Sequence, residues 1–273
     1  MAMAALKQVG TLLQLRRPSL RALPGIGLLR GREGGLFILG LLAAWHIGTS
    51  VTELPSHGLF PSPRVTVVAL WQSLPELLEG TWASLRIFLP GYLLAIMAGI
   101  GWGLLVGTSG WLHRLFSPFA RVAAPIPPTI YIPYAIALLP SFRLAAIFVV
   151  FIGAFWPIFV NAVAGAATIP QRHRDNSRIL GMSYPAYLRR VVYPASLPHI
   201  FSGMSVALVL SFIMLTVAEL FGAHRGLGRF VQYYADYADY PRMVAGIIYT
   251  GLVAFGAMAL LDAIKRRVLF WVR

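Results

Sequence analysis

Residues 174–200 read RDNSRILGMSYPAYLRRVVYPASLPHI and interrupt a chain that is otherwise strongly apolar. The runs on both sides consist mainly of Leu, Ile, Val, Phe and Ala, whereas this stretch is basic and carries one Gly and three Pro. An arginine at the centre of a membrane helix costs roughly 2.5–3.5 kcal/mol, and residues 172–190 contain five of them. The stretch is therefore predicted to be a loop in water between two membrane spans.

The composition of the whole chain predicts a polytopic membrane protein. Of its 273 residues, 58% are hydrophobic and 12% are charged, and the mean hydropathy is +0.72; about a quarter of a soluble domain is charged. The absence of cysteine excludes disulfides and thiolate metal sites. The net charge of +14 would suggest nucleic acid in a soluble protein, but here it favours basic cytoplasmic loops, and no nucleic-acid partner is expected.

Six apolar segments approach the ~20 residues that a helix needs to cross the hydrocarbon core. They are 35–52, 86–109, 115–139, 143–167, 195–220 and 242–263. The third segment contains five prolines, so it is expected to be a kinked or broken helix.

The second segment carries small residues at every fourth position: Gly91, Ala95, Gly99, Gly103 and Gly107. In lipid, such a stripe predicts close contact between two helix backbones. A phosphate loop is a poorer interpretation, because no strand precedes the glycines and the third glycine of that motif is missing.

The basic residues orient the chain. Sixteen of the 23 Lys and Arg lie at Arg114 or within residues 1–34, 168–194 and 265–273, and the positive-inside rule places these on the cytoplasmic side. Both termini are then cytoplasmic. The predicted organisation is a basic segment at 1–34, a transmembrane domain at 35–264 with its loop at 168–194, and a basic tail at 265–273. The first segment lacks a signal-peptide cleavage site, and its residues 3–16 suit a surface helix or a disordered basic tail.

Nucleotide-binding, metalloprotease and serine hydrolase motifs are absent from the sequence. The chain has no G-x-x-x-x-G-K-[ST], no H-E-x-x-H, no G-x-S-x-G and no pair of acidic residues in mid-membrane. Neither catalysis nor a metal site is expected, and any energy for uphill transport has to come from another chain.

The opening stretch has the pattern of two short helices. Asp175–Ser177 is expected to cap or begin the first helix, which ends at Gly181, and Ser183 with Pro185 fits the start of the second. An apolar face with an arginine rim comprises Leu180, Tyr184, Tyr187, Leu188 and Val191.

Prolines at positions 194 and 198 are expected to end the second helix before the fifth span. Such a helical pair suits a groove on a protein partner. The alternative is a basic loop resting on anionic lipid.

This stretch resembles the longest cytoplasmic loop of the membrane subunits of bacterial ABC importers. That loop has the pattern E-A-A, three residues, G, nine residues, I-x-L-P; here Asp175–Ser177, Gly181 and Val191–Pro194 stand at those positions. The segments FPSPRVTVVALWQSL (60–74), FWPIFVNAVAG (155–165) and AELFGAHRGLGRFVQ (218–232) resemble the nitrate, sulfonate, taurine and bicarbonate branch of the family.

The resemblance implies an all-α permease of the type I importer class in the bacterial inner membrane, with a coupling helix between spans four and five. It also implies a homodimer, two cytoplasmic ATPase subunits that bind ATP and Mg²⁺, and an external substrate-binding protein. This chain itself would hold no cofactor and would not be an enzyme. The implied ATPase-coupling residues are Asp175, Asn176, Ser177, Leu180, Gly181, Tyr184, Tyr187, Leu188 and Pro194.

Polar or aromatic positions within the spans are the candidates for a solute pathway. They are Thr129, Tyr131, Tyr134, Trp156, Asn161, Ser211, Thr216 and Glu219. The alternatives are interfacial aromatic belts and hydroxyls bonded within their own helix. Glu219 is expected to pair with Arg225 or Arg229, or to contact the binding protein.

The resemblance predicts import of a small oxyanion or sulfonate such as nitrate, bicarbonate, taurine or an alkanesulfonate. A neutral organic solute or vitamin precursor remains an alternative. A secondary carrier or channel and a membrane-embedded enzyme are the remaining alternatives.

Overall fold

The computed structural model describes residues 32–50 and 60–271, and all regular structure within these ranges is helical. The surface helix predicted at residues 3–16 lies outside the described residues. The helices are α1 (Arg32–Ser50), α2 (Pro63–Gln72), α3 (Leu74–Thr108), α4 (Gly110–Ala123), α5 (Ile132–Leu138), α6 (Phe142–Ala167), α7 (Gln171–Ile179), α8 (Tyr184–Tyr187), α9 (Tyr193–Gly222), α10 (Leu227–Asp236) and α11 (Tyr240–Val268).

In the described part of the chain, four helices are long and apolar enough to cross a membrane: α3, α6, the continuous helix formed by α8 and α9, and α11. They contain or nearly match the segments predicted at 86–109, 143–167, 195–220 and 242–263, which are confirmed. Helix α3 begins much earlier than predicted, at Leu74. The segments predicted at 35–52 and 115–139 correspond to shorter apolar helices, Gly34–Thr49 and Pro128–Leu138, so the count of six spans stays a prediction.

The third predicted segment is broken, as its prolines indicated. Helix α4 ends at Ala123, a 3-10 turn covers Pro128–Tyr131, and α5 follows it directly. Proline removes a backbone donor and clashes with the preceding turn, which accounts for the interruption. The 3-10 turn packs against both α6 and α9. The backbone groups that lack helical partners therefore lie against protein and not against lipid.

Helix α6 lies between α3 and α9 and forms the centre of the core. A Cβ placed on Gly103 of α3 would lie 2.5 Å from the Cβ of Ala162, closer than real Cβ atoms approach other atoms. On an adjacent face of α6, a Cβ on Gly203 of α9 would lie 2.8 Å from the carbonyl oxygen of Pro157. The small-residue stripe of α3 is therefore confirmed as a packing surface, and α9 uses the same device.

Helices α8 and α9 form one continuous rod, so the prediction that Pro194 and Pro198 end a short helix is wrong. A π turn at Leu188–Val192 joins the two helices, and the N–H of Tyr193 donates to the carbonyl of Leu188. The π turn shifts the bonding register, which leaves Pro194 in the first turn of α9, where its missing N–H removes no helical bond. Pro198 is accommodated within α9, as membrane helices commonly permit.

Helices α2, α10 and α11 pack around the N-terminal end of α3. Leu77 of α3 contacts Leu227 and Phe230 of α10 in a small apolar cluster, and α11 packs against both α2 and α10. The basic residues predicted to open the C-terminal tail lie in the last turn of α11, where they stabilise the helix dipole.

The packing of α3 on α6 predicts a position-specific loss of stability. Gly103→Val is expected to lower the melting temperature in detergent because its side chain meets Ala162 with no room to move; overpacking costs about 1–3 kcal/mol. Gly101→Val is the matched control, since a Cβ at Gly101 meets nothing within 4 Å and replacing Gly by Val changes helix propensity in the same way at both positions. Equal melting temperatures for the two variants would contradict the close packing.

Candidate functional site

The first short helix of the opening stretch starts earlier than its pattern indicated. Pro170 precedes α7, which begins at Gln171, so Asp175–Ser177 lies inside the helix and does not begin it. Pro170 ends the preceding connection in extended geometry, and helical structure starts immediately after it. The Ser177 hydroxyl donates to the carbonyl of His173 at 2.7 Å, which is a bond within the helix rather than a cap.

Gly181 ends α7 in the predicted way. Its φ is +62°, the left-handed region that glycine enters without a steric penalty. The N–H of Gly181 donates to the carbonyl of Arg178, and the N–H of Met182 donates to the carbonyl of Ser177, both at 3.0 Å. This pair of bonds is a Schellman motif. A Cβ at Gly181 would meet nothing within 4 Å, so backbone conformation alone demands glycine here.

Residues 179–184, which we call the docking turn, present apolar side chains to the surroundings. Ile179 is 83% exposed, Leu180 75% and Tyr184 49%. Ser183 and Pro185 open α8 as predicted. The exposed basic side chains around the turn are Arg172, Arg178, Arg189 and Arg190. A contiguous apolar patch with a polar rim is typical of a surface that binds another protein.

The single apolar face predicted for the pair of helices is split by the structure. Tyr187 and Leu188 turn inward and pack with buried Val192 against the ends of α3 and α6. Only Leu180 and Tyr184 of the predicted face stay prominently exposed. Leu180 lies before the left-handed turn at Gly181 and the other positions lie after it, so one helical periodicity does not apply to all of them.

The docking turn is attached to the membrane helices at several points. Helix α7 follows α6 after a connection at residues 168–170, and α8 continues into α9. The hydroxyls of Tyr184 and Thr108 are 2.8 Å apart, which ties the turn to the end of α3 as well. The turn is therefore connected to α3, α6 and α9.

Three of the candidate pathway residues bond within their own helices. Ser211 donates to the carbonyl of Ala207 and Thr216 to that of Phe212. The Asn161 amide donates to the carbonyl that precedes it by four residues. Ser211 is fully buried, whereas Asn161 and Thr216 are half-buried.

The aromatic candidates lie in two separate places. Trp156 packs edge-on against Phe155 and Phe159 in an apolar groove. Tyr131 is half-buried on the 3-10 turn beside Thr129, and Tyr134 of α5 is 70% exposed. The structure thus gathers Thr129, Tyr131 and Tyr134 on the broken segment and leaves Trp156 apart from them.

Glu219 is fully buried and joins α9 to α3 and α10. The Ser84 hydroxyl donates to its Oε1 at 2.5 Å, and the N–H of Gly228 donates to its Oε2 at 2.7 Å. The Ser84 oxygen in turn accepts from the N–H of Leu227 at 2.9 Å. The carboxylate thereby caps the first turn of α10, where the helix dipole favours negative charge. A side chain at Gly226 would overlap this carboxylate.

The pairing expected for Glu219 is wrong. Arg225 instead forms an ion pair with Glu79 at 2.9 Å, and Arg229 lies over the ring of Tyr233. Burial of the carboxylate among hydroxyl and backbone donors keeps both arginines on the surface. Sequence reasoning also missed Ser84, for which no local pattern exists, because its partner lies 135 residues further along the chain.

Comparison with known proteins places the chain among transport proteins. Residues 91–270 match the family described as binding-protein-dependent transport system inner membrane components. The nitrate import permease protein NrtB of Leptolyngbya laminosa is 36% identical over 68% of this chain and 67% of that protein. The bicarbonate transport system permease protein CmpB of Synechococcus elongatus is 35% identical over 79% of this chain and 81% of its own length.

Among solved structures, an inward-facing conformation of the MetNI methionine ABC transporter is similar in fold. The TM-score is 0.61 at 21% sequence identity, and the match covers 72% of this chain and 98% of that chain. The fold class and the family resemblance inferred from the coupling-loop pattern are confirmed.

The buried carboxylate network predicts a local effect of removing Ser84. Ser84→Ala deprives Glu219 of one donor and the Leu227 N–H of its acceptor; an unsatisfied buried group costs about 1–3 kcal/mol. Amide hydrogen exchange at the start of α10 is therefore expected to accelerate about fivefold or more. Ser205→Ala is the control, because that hydroxyl bonds only within α9. Unchanged exchange in Ser84→Ala would show that the network does not hold α10.

Proposed function

The chain belongs to the family of inner membrane components of binding-protein-dependent transport systems, and we propose that it forms the membrane pathway of an ATP-driven importer for a small oxyanion. Nitrate and bicarbonate are the favoured solutes, because permeases named for them are similar over most of this chain. As a permease subunit it is a multi-pass membrane protein and not an enzyme. ATP and Mg²⁺ belong to a separate ATPase subunit.

The exposed apolar surface of the docking turn is the main support for the proposal. Within the described residues, Leu180 is 75% and Tyr184 49% exposed, and a groove on a second protein removes that apolar area from water. Gly181 sets the turn, and the surrounding arginines favour an acidic rim on the partner. We assign this groove to the ATPase subunit.

The continuity of the turn with the core supports a coupling role. Because α8 and α9 form one rod and packed helices do not deform continuously, movement of the turn is transmitted as movement of whole helices. Tyr187, Leu188 and Pro194 support this rod from within the protein. Asp175 and Asn176 are exposed on α7 and extend the surface offered to the ATPase.

The proposed assembly contains a second copy of this chain, two ATPase subunits and an external binding protein, with both termini in the cytoplasm. A closed two-fold arrangement gives a pathway between identical subunits. We propose that Thr129, Tyr131 and Tyr134 line this pathway, since the broken segment carries all three and leaves Tyr134 largely exposed. Ser211 and Glu219 support the surrounding helices instead.

The coupling proposal predicts that the docking turn is required for coupled transport. Leu180→Asp introduces a charge into the apolar contact, and Gly181→Pro forbids the positive φ and removes an N–H that the Schellman motif uses. Each variant is expected to reduce binding of the cognate ATPase and ATP-dependent uptake in proteoliposomes at least tenfold.

Conservative substitutions at the same positions provide the controls. Leu180→Met retains apolar contact, and Gly181→Asn retains access to the left-handed region; both are expected to keep more than half of the uptake. Normal uptake by Leu180→Asp would exclude the turn as the ATPase contact. Comparable losses in all four variants would indicate misfolding rather than uncoupling.

The solute proposal predicts that uptake requires every partner. Proteoliposomes with the permease, its cognate ATPase and binding protein are expected to accumulate labelled nitrate or bicarbonate only when ATP is present on the ATPase side. Uptake by the permease alone would identify a carrier or channel. Accumulation of a neutral solute in preference to both anions would contradict the oxyanion assignment.

A further inference from the structure

A proline in α3 creates an unusual arginine arrangement at the end of the bundle opposite the docking turn. Pro90 lies inside α3 and has no N–H, so the carbonyl of Arg86, four residues earlier, lacks its helical donor. The Arg143 guanidinium from the first turn of α6 donates to that carbonyl, with Nη2 and the oxygen 3.4 Å apart. This bond holds Arg143 beside Arg86 and leaves its other donors free to bind a ligand.

The second guanidinium is positioned as well. Arg86 lies over the ring of Trp82, 5.1 Å from its centroid. Both arginines are exposed, and among the described side chains neither forms an ion pair with an acidic residue. Two guanidinium groups without acidic partners, one held at the backbone of the residue that carries the other, attract an anion, and phosphate matches a guanidinium fork of donors best.

The surface below the arginines is apolar. On α3 the exposed side chains Leu89, Leu93 and Met97 continue the stripe of Trp82 and Arg86 at helical spacing. On α6 the exposed side chains Leu144 and Phe148 lie next to Arg143 in sequence and one turn further along. An exposed Trp and Arg next to an exposed apolar stripe are typical of residues at lipid headgroup depth.

An apolar groove lies further along the same two helices. It encloses about 320 Å³ among Ala98 and Trp102 of α3, Phe116 of α4, and Phe155 and Trp156 of α6. Ala98 lies about 18 Å beyond Arg86 at the helical rise per residue, close to the ~15 Å depth of one leaflet. The distance suits one acyl chain.

We propose that this region binds an anionic phospholipid, with its phosphate at Arg86 and Arg143 and an acyl chain along Leu144 and Phe148 of α6 into the aromatic groove. A lipid offers a phosphate to the arginines and an acyl chain to the apolar groove, whereas a free oxyanion matches only the arginines. The site therefore favours a lipid. A second copy of the chain would leave the two guanidinium groups without a counter-charge, because their surroundings in this region are apolar.

The experiment measures phosphatidylglycerol and phosphatidylcholine bound to the purified full-length chain by native mass spectrometry. Arg86→Gln with Arg143→Gln is expected to lower the affinity for phosphatidylglycerol about twenty-fivefold, at about fivefold per arginine, and to leave phosphatidylcholine binding unchanged. Arg64→Gln with Arg229→Gln, which changes the net charge equally, is expected to alter neither. Undiminished phosphatidylglycerol binding by the Arg86 and Arg143 double variant would overturn the proposal.

Three further experiments distinguish lipid binding from binding of a free ion or of a second copy of the chain. Ala98→Phe, which fills the groove, is expected to weaken binding of long-chain but not dioctanoyl phosphatidylglycerol. Displacement of the lipid by millimolar inorganic phosphate would instead identify an ion site. Disulfide cross-linking of Leu93→Cys to its counterpart in a second copy, unaffected by added lipid, would identify an interface between copies.

Discussion

The whole arrangement depends on how closely α6 approaches its two neighbours. At Gly103 of α3 and Gly203 of α9, the space for a Cβ is taken by atoms of α6. In a bilayer no hydrophobic effect drives apolar helices together, so stability comes from van der Waals contact between closely approaching backbones. These glycine contacts make α3, α6 and α9 one packed unit, which the remaining helices surround.

The docking turn is connected to all three helices of this packed unit. The turn leaves α6, re-enters through α8 and α9, and is held to the end of α3 by the contact between Tyr184 and Thr108. A force at the turn therefore reaches all three helices of the core. At the other end, Glu219 and Ser84 bind α9, α3 and α10 together through buried polar contacts, so both ends of the same helices are fixed by specific bonds.

Sequence patterns predicted those features that depend on local chemistry. Hydropathy located the long spans, four-residue spacing identified the stripe that includes Gly103, and the spacing around Gly181 located the left-handed residue of the turn. The continuity of α9 through Pro194 was not predictable in this way, because it depends on the π turn at Leu188–Val192, which no local pattern marks. The start of α7 was missed because Asp175–Ser177 has the composition of a cap but lies inside the helix. The bond between Arg143 and the Arg86 carbonyl was equally hidden, since it joins residues 57 positions apart.

The central claim is that the docking turn contacts an ATPase subunit, and site-directed cross-linking tests it most directly. The chain contains no cysteine, so single cysteines can be introduced at Leu180 and at Leu138, which is similarly exposed at the opposite end of the bundle. The account predicts that Leu180→Cys forms a cross-link with a cysteine in a groove of the cognate ATPase and that Leu138→Cys does not. Cross-linking at Leu138 with none at Leu180 would contradict it.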